Sequence, residues 1–244
     1  MGITAGFCAY RTMLGVMLIS AASGCISASS SRTVWGSNTP STEIRITKTF
    51  SKIKLTTSVD IKIVIGAATS VMVTTDNNIQ PIIETTVNDD TLCIAARRPY
   101  KSKVGVKVCI TIPTLTEVFN NSESGNVCVA GLNAHGFLMC CGGSGVTTLK
   151  GRADALHIIT GGSGLVRAEA LTAGNANVLL AGSGNVRICA TNVLEVCVCG
   201  SGEVQYVGHP AQIIDQGFET YNGGHPTRIK KHEASSSIKP LAQP

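Results

Sequence analysis

Apolar and polar residues alternate in short bursts along this chain, and the bursts recur at a nearly fixed interval. After Ser124-Gly125-Asn126 the chain reads Val127-Cys128-Val129, after Ser144-Gly145-Val146 it reads Thr147-Thr148-Leu149, and after Ser163-Gly164-Leu165 it reads Val166-Arg167-Ala168. Ser183-Gly184-Asn185 leads into Val186-Arg187-Ile188, and Ser201-Gly202-Glu203 into Val204-Gln205-Tyr206. A period of two predicts a strand with one face buried. A second burst precedes each later Ser: Phe137 and Met139, Leu156 and Ile158, Ala176 and Val178, Leu194 and Val196. Between the bursts stand Gly131, Gly151, Ala170, Ala190 and Gly208, small residues that predict tight corners. The phrase glycines are spaced by 20, 19, 20 and 18 residues.

A period near 20 residues with no helical stretch between the strands predicts stacked coils, each pairing only with its neighbours. The Leu frame of a leucine-rich repeat is absent, and a propeller blade would need about 40 residues. The fold class is therefore all-β, a parallel β-helix (β-solenoid) with coils of about 20 residues. Ahead of the repeats, alternation predicts strands over 51–55, 59–65, 71–73, 82–87, 91–94 and 104–112, with a polar loop over 97–102. These are expected to form less regular first coils capping one end.

One column breaks the parity rule. Cys140, Ile159, Leu179 and Cys197 should point away from the core, yet all are apolar. Either the coil bends and a loop or third sheet covers them, or they form an interaction stripe for a partner or a second copy of the chain.

Composition narrows the partners. Aromatic content is 4%, charged content 14% and net charge +5, with no dense basic run, so nucleic-acid binding is not expected. Arg11 followed by an apolar run from Met13 to Ala22 reads as a secretory leader over 1–25, too short to span a bilayer. Its end, Ala22-Ser23-Gly24-Cys25, resembles a bacterial lipobox, which makes Cys25 a candidate lipidation site and the membrane surface a partner through that anchor. The alternative is an ordinary cleaved leader on a secreted or periplasmic protein. A Ser-rich tether over 26–43, a solenoid over 44–230 and a disordered polar tail over 231–244 complete the expected organisation.

Phe50-Ser51-Lys52-Ile53, Ile61-Lys62-Ile63-Val64-Ile65-Gly66, Thr91-Leu92-Cys93-Ile94, Ile110-Thr111-Ile112-Pro113 and the Ser-Gly-x-Val phrases together resemble the auto-transporter adhesin "head GIN domain" family of bacterial envelope proteins. The resemblance spans about 50–230 and implies a right-handed parallel β-helix outside the cytoplasm, with no established activity. Where the family's phrase carries Asp, this chain has Asn126, Val146, Leu165, Asn185 and Glu203, so an ion-binding Asp ladder is not expected.

Ten cysteines are the most reactive residues present. Cys140 and Cys197 lie three coils apart, roughly 14 Å, too far for a disulfide. Cys-x-x-Cys spacing and matched His are missing, so neither a metal nor a cofactor is expected. The outward flank holds a possible charged patch of Lys150, Arg167, Glu169 and Arg187, without the matched carboxylate pairs that glycoside hydrolysis requires. Two functions follow. One is a non-enzymatic envelope module presenting a repetitive surface to a glycan, an envelope protein or another copy of itself. The other is a carbohydrate-active enzyme, lyase or hydrolase, on the same scaffold.

Overall fold

The computed structural model describes residues 32–216 and 229–231, and strands dominate it. The first half contains β1 (Val34–Trp35), β2 (Pro40–Arg45), β3 (Lys52–Leu55), β4 (Asp60–Ile65), β5 (Ser70–Asp76), β6 (Ile83–Asn88), β7 (Thr91–Ala96), β8 (Tyr100–Lys101), β9 (Lys107–Ile112) and β10 (Glu117–Asn120), with one 3₁₀ turn at Gln80–Ile82. Four long strands follow, β11 (Val127–Cys141), β12 (Val146–Thr160), β13 (Leu165–Leu180) and β14 (Asn185–Val198), then β15 (Glu203–Val207), β16 (Gln212–Asp215) and β17 (Ile229–Lys231). Among the described residues, fifteen strands join in one open sheet, and β1 pairs with β8 apart from it.

The repeats stack in parallel at the interval of the Ser-Gly phrase. Val127 pairs with Thr147, Thr147 with Val166, Val166 with Val186 and Val186 with Val204. Phe137, Leu156, Ala176 and Leu194 form a second in-register column. Both columns are buried, as alternation requires, and so are Val129, Leu149, Ala168 and Ile188. Each fully buried Val, Leu or Ile contributes about 1.5–3 kcal/mol, so the core is built by repetition rather than by large rings.

Each repeat is one continuous strand rather than two strands separated by a loop. The expected corner appears as a register shift inside it, between Val129 and Leu132, Thr148 and Lys150, and Ala168 and Thr172. Gly131 and Gly151 take φ of +75° and +133° there, a conformation that side chains rarely adopt. The glycines of the Ser-Gly phrase serve differently. A Cβ on Gly145 would lie 1.9 Å from the Gly125 carbonyl oxygen, on Gly164 2.4 Å from that of Gly145, and on Gly184 2.2 Å from that of Gly164. Gly164 has no positive φ; it is required by the closeness of the neighbouring repeat.

The first half is also layered, but not in chain order. β3 and β4 lie between two other layers: β3 pairs in parallel with β7 and β10, and β4 with β9 and β11. The chain therefore enters the stack one layer in, builds the outer layer with β7 and β9, and then crosses back to β10. Antiparallel pairs β2–β5, β5–β9 and β6–β7 are added at this end, where only irregular coils were expected. Residues 40–43, assigned to the tether by their Ser-rich setting, belong to β2, which hydrogen-bonds along β5. Gln80 holds this junction: its buried amide donates to the carbonyls of Ser41 (2.9 Å) and Val73 (2.8 Å). The leader, Cys25, Gly224-His225-Pro226 and residues 232–244 lie outside the described residues.

Candidate functional site

The outward face of the stack is the best-defined surface. β4, β11, β12, β13, β14, β15 and β17 run side by side, and one outward column crosses them all. Lys62 pairs with Cys128, Cys128 with Thr148, and Thr148 with Arg167. Arg167 pairs with Arg187, Arg187 with Gln205, and Gln205 with Lys230. Parallel neighbours stand about 4.8 Å apart. Lys62 and Arg167 are exposed and Arg187 is half-buried. Arg187 donates through Nε to Gln205 Oε1 at 3.2 Å, and Lys230 reaches Glu203 at 2.9 Å.

The expected patch of Lys150, Arg167, Glu169 and Arg187 is only partly assembled. Arg167 and Arg187 are direct neighbours. Lys150 pairs instead with Ala170, and Glu169 lies in the register shift, unpaired along the ladder. Lys62 and Lys230 belong to the same column and were missed. Lys62 comes from a strand about 66 positions before Cys128, outside the repeats, so no spacing connects it to them.

The apolar column takes the other of its two readings. Cys140, Ile159, Leu179 and Cys197 are stacked in register, and their exposures are 9%, 9%, 4% and 6%. A docking stripe had to be open to solvent, and this column is not. Their strand neighbours Met139, Ile158, Val178 and Val196 are also buried, so alternation ends there and the strand is covered on both faces.

The eight cysteines of the described region are free thiols. Burial, with the neighbouring Cys141 and Glu117, pushes the Cys140 thiol up to about 12, and burial pushes Cys141 up to about 11. Cys197, 3.5 Å from the Cys199 sulfur, is raised to about 12, burial again being the largest cause. Such thiols stay protonated at neutral pH and make poor nucleophiles and metal ligands. No group of three or more His, Cys, Asp or Glu among the described residues is arranged to hold a metal ion.

A shallow groove of about 790 Å³ lies under the 97–102 loop, lined in part by Thr57, Ser58, Arg98, Tyr100, Lys101 and Ser102. Tyr100 donates its hydroxyl to the Ser58 carbonyl at 2.9 Å, and burial raises its pKa. Beside it the Trp35 ring is 68% exposed, with the Lys101 ammonium 5.1 Å from the ring centroid. Nothing in the local pattern of 97–102 marked it as concave; its other wall comes from the distant Thr56, Thr57 and Ser58.

The sequence profile described as "putative auto-transporter adhesin, head GIN domain" matches residues 49–210. The chain belongs to that family. A crystal structure named as that of a putative adhesin from Bacteroides fragilis NCTC 9343 superposes with a TM-score of 0.64 at 21% identity, over 82% of this chain and 100% of that one. That likeness is one of fold. A structure named as a putative lipid binding protein from Parabacteroides distasonis ATCC 8503 is 20% identical, with a TM-score of 0.43 over 83% of this chain and 100% of that one. No curated protein matches the chain. No helix among the described residues is long and apolar enough to cross a membrane.

Proposed function

We propose that this head GIN domain protein is a non-enzymatic binding module of the cell envelope, built as a right-handed parallel β-helix and held at a membrane surface by a lipid on Cys25. The observation that carries the reading is the outward face of β11–β15. Its backbone is hydrogen-bonded to a neighbouring strand on both sides, and its side chains repeat in register from layer to layer. Such a surface cannot close around a small substrate, but it meets an extended or repetitive ligand at many points at once. Its chemistry favours holding over cutting. Among the described residues, no ladder pairing sets one carboxylate opposite another, whereas general acid–base hydrolysis uses a facing pair. The family's adhesin description supports the same reading.

Cell fractionation tests the anchor. The native chain should sediment with membranes, and Cys25→Ser should move to the soluble extracytoplasmic fraction while folding normally. Membrane retention of Cys25→Ser overturns the lipid anchor. Incubation of the purified chain with polysaccharides tests the module, since release of reducing or unsaturated ends would show an enzyme instead.

A further inference from the structure

We propose that the outward column centred on Arg167 and Arg187 is a binding strip for a linear polysaccharide bearing carboxylate or sulfate groups. The proposal rests on the binding-module reading and names its ligand. The first observation is a like-charge pair. Arg167 and Arg187 occupy directly opposite positions on adjacent parallel strands, a placement that destabilises a sheet unless an anion lies between them. Among the described residues, neither Lys62, Lys150 nor Arg167 has a carboxylate within ion-pairing distance, and Arg187 is bonded only to the neutral Gln205. Two carboxylates in the neighbouring outward column serve other groups: Asp60 accepts from Asn126 at 3.0 Å, and Glu203 from Lys230 at 2.9 Å.

The second observation is shape. From Lys62 to Lys230 the column crosses six strand steps, about 29 Å, through hydrogen-bonded strands. Guanidinium forks take carboxylate and sulfate oxygens two at a time. Between and beside the cations stand groups suited to sugar hydroxyls. Thr148 lies next to Arg167 in the column, and Asn185, whose Oδ1 accepts from Glu203 N at 3.0 Å, keeps an amide NH₂ for a ligand.

Other anionic partners fit less well. Single-stranded nucleic acid needs aromatic platforms for its bases. Neither this column nor its outward neighbour through Asp60, Asn126, Val146, Leu165, Asn185 and Glu203 carries one. An anionic bilayer is a plane, and would press against the exposed Glu169 two positions from Arg167. A single polymer chain lying along the column leaves Glu169 to one side.

The test uses the full chain with alginate, a polyuronate, and with neutral dextran as control, by titration calorimetry at low and raised salt. The expected result is binding to alginate that weakens with salt and is absent for dextran. Arg167→Gln/Arg187→Gln should weaken binding at least about tenfold, since two charge-assisted contacts are lost, with a melting temperature unchanged or raised. Lys62→Gln should weaken it less and serves as the second variant should the Arg pair prove necessary for folding. Loss of neither affinity nor salt dependence in these variants overturns the strip, as does tighter binding to phosphatidylglycerol vesicles or to oligothymidylate than to alginate. Shortening of alginate by the chain would overturn the non-enzymatic reading while leaving the strip in place. Absence of any alginate binding would overturn the strip and leave the module reading to other ligands.

Discussion

Replacing Gly164 by alanine adds one methyl group at the point where two repeats come closest. The new Cβ would stand 2.4 Å from the Gly145 carbonyl oxygen and 3.1 Å from that of Gly143. Real Cβ atoms keep at least 3.0 Å, so the two layers must separate locally by about 0.6 Å. Those same oxygens accept the hydrogen bonds that join the layers: Leu165 N donates to Gly145 O and Gly164 N to Gly143 O, each at 3.2 Å. The shift would stretch both beyond hydrogen-bonding length. Two bonds at about 1 kcal/mol each, with overpacking of about 1–3 kcal/mol, offset by about 0.4–1 kcal/mol of unfolded-state entropy, leave a loss of about 2–5 kcal/mol. For a domain of this size that is a fall of about 4–20 °C in melting temperature. Gly161→Ala is the matched control. Gly161 belongs to the same turn of the same repeat, has no positive φ, and a Cβ there meets nothing within 4 Å. It should melt at or slightly above the native temperature. Circular dichroism melts of the two variants decide the matter. Equal melting temperatures would show that composition alone, and not the stacking distance, accounts for glycine in the phrase.

Two further predictions follow from burial. Leu179→Glu places a carboxylate at a position only 4% exposed, with no basic residue in register on either adjacent strand, so it should destabilise the fold by several kcal/mol, while Leu179→Ile remains folded; a Leu179→Glu chain that melts normally but changes its sedimentation would restore the docking stripe. The raised thiols give an alkaline signature. Cys140 and Cys141 move up from 9.0 to about 12 and about 11, so the stability they lend is complete below about pH 9 and falls as pH climbs toward 11–12. The urea midpoint should drop over that window and drop less in Cys140→Val/Cys141→Val; maleimide at pH 7 should label the exposed Cys109 and Cys199 at once and Cys140 and Cys141 only after unfolding.

Strand positions were legible wherever alternation was strong and repetition confirmed it. The columns headed by Val127 and Phe137 were read residue for residue, because a two-residue period combined with a near 20-residue period leaves one register in which both columns are buried. The order of layers in the first half was not legible. Alternation tells which face of β3 is buried, but not that β7 lies on one side of it and β10 on the other; the partners are some 40 and 65 positions away and share no repeated phrase. β2 was hidden for a related reason. As an edge strand it exposes Ile44 at 73% and opens with Pro40, so its sequence lacks the apolar face by which a strand announces itself.

The site divides along the same line, and the division bears on what kind of ligand the surface can take. Arg167 and Arg187 were visible as neighbours because they hold the same place in consecutive repeats. Lys62 was invisible because it reaches their column only through the crossover that seats β4 against β11. A strip confined to the repeats would span Cys128 to Gln205; the crossover adds Lys62 beyond Cys128, with Cys109 of β9 beyond that, and β17 adds Lys230 at the other end. Both additions are cations. Neutral residues dominate the same column inside the repeats, apart from the Arg pair, so charge stands at the centre and at Lys62, with Lys230 held by Glu203 on the far side. That spacing suits a ligand with anionic groups at intervals along a stiff chain better than a uniformly charged plane, which would gain as much from cations spread evenly over the face. A binding series of alginate fragments therefore has a built-in ruler: affinity should rise with fragment length until the fragment spans about 29 Å, six strand steps, and then level off, whereas attraction to net charge alone would give no plateau tied to that length.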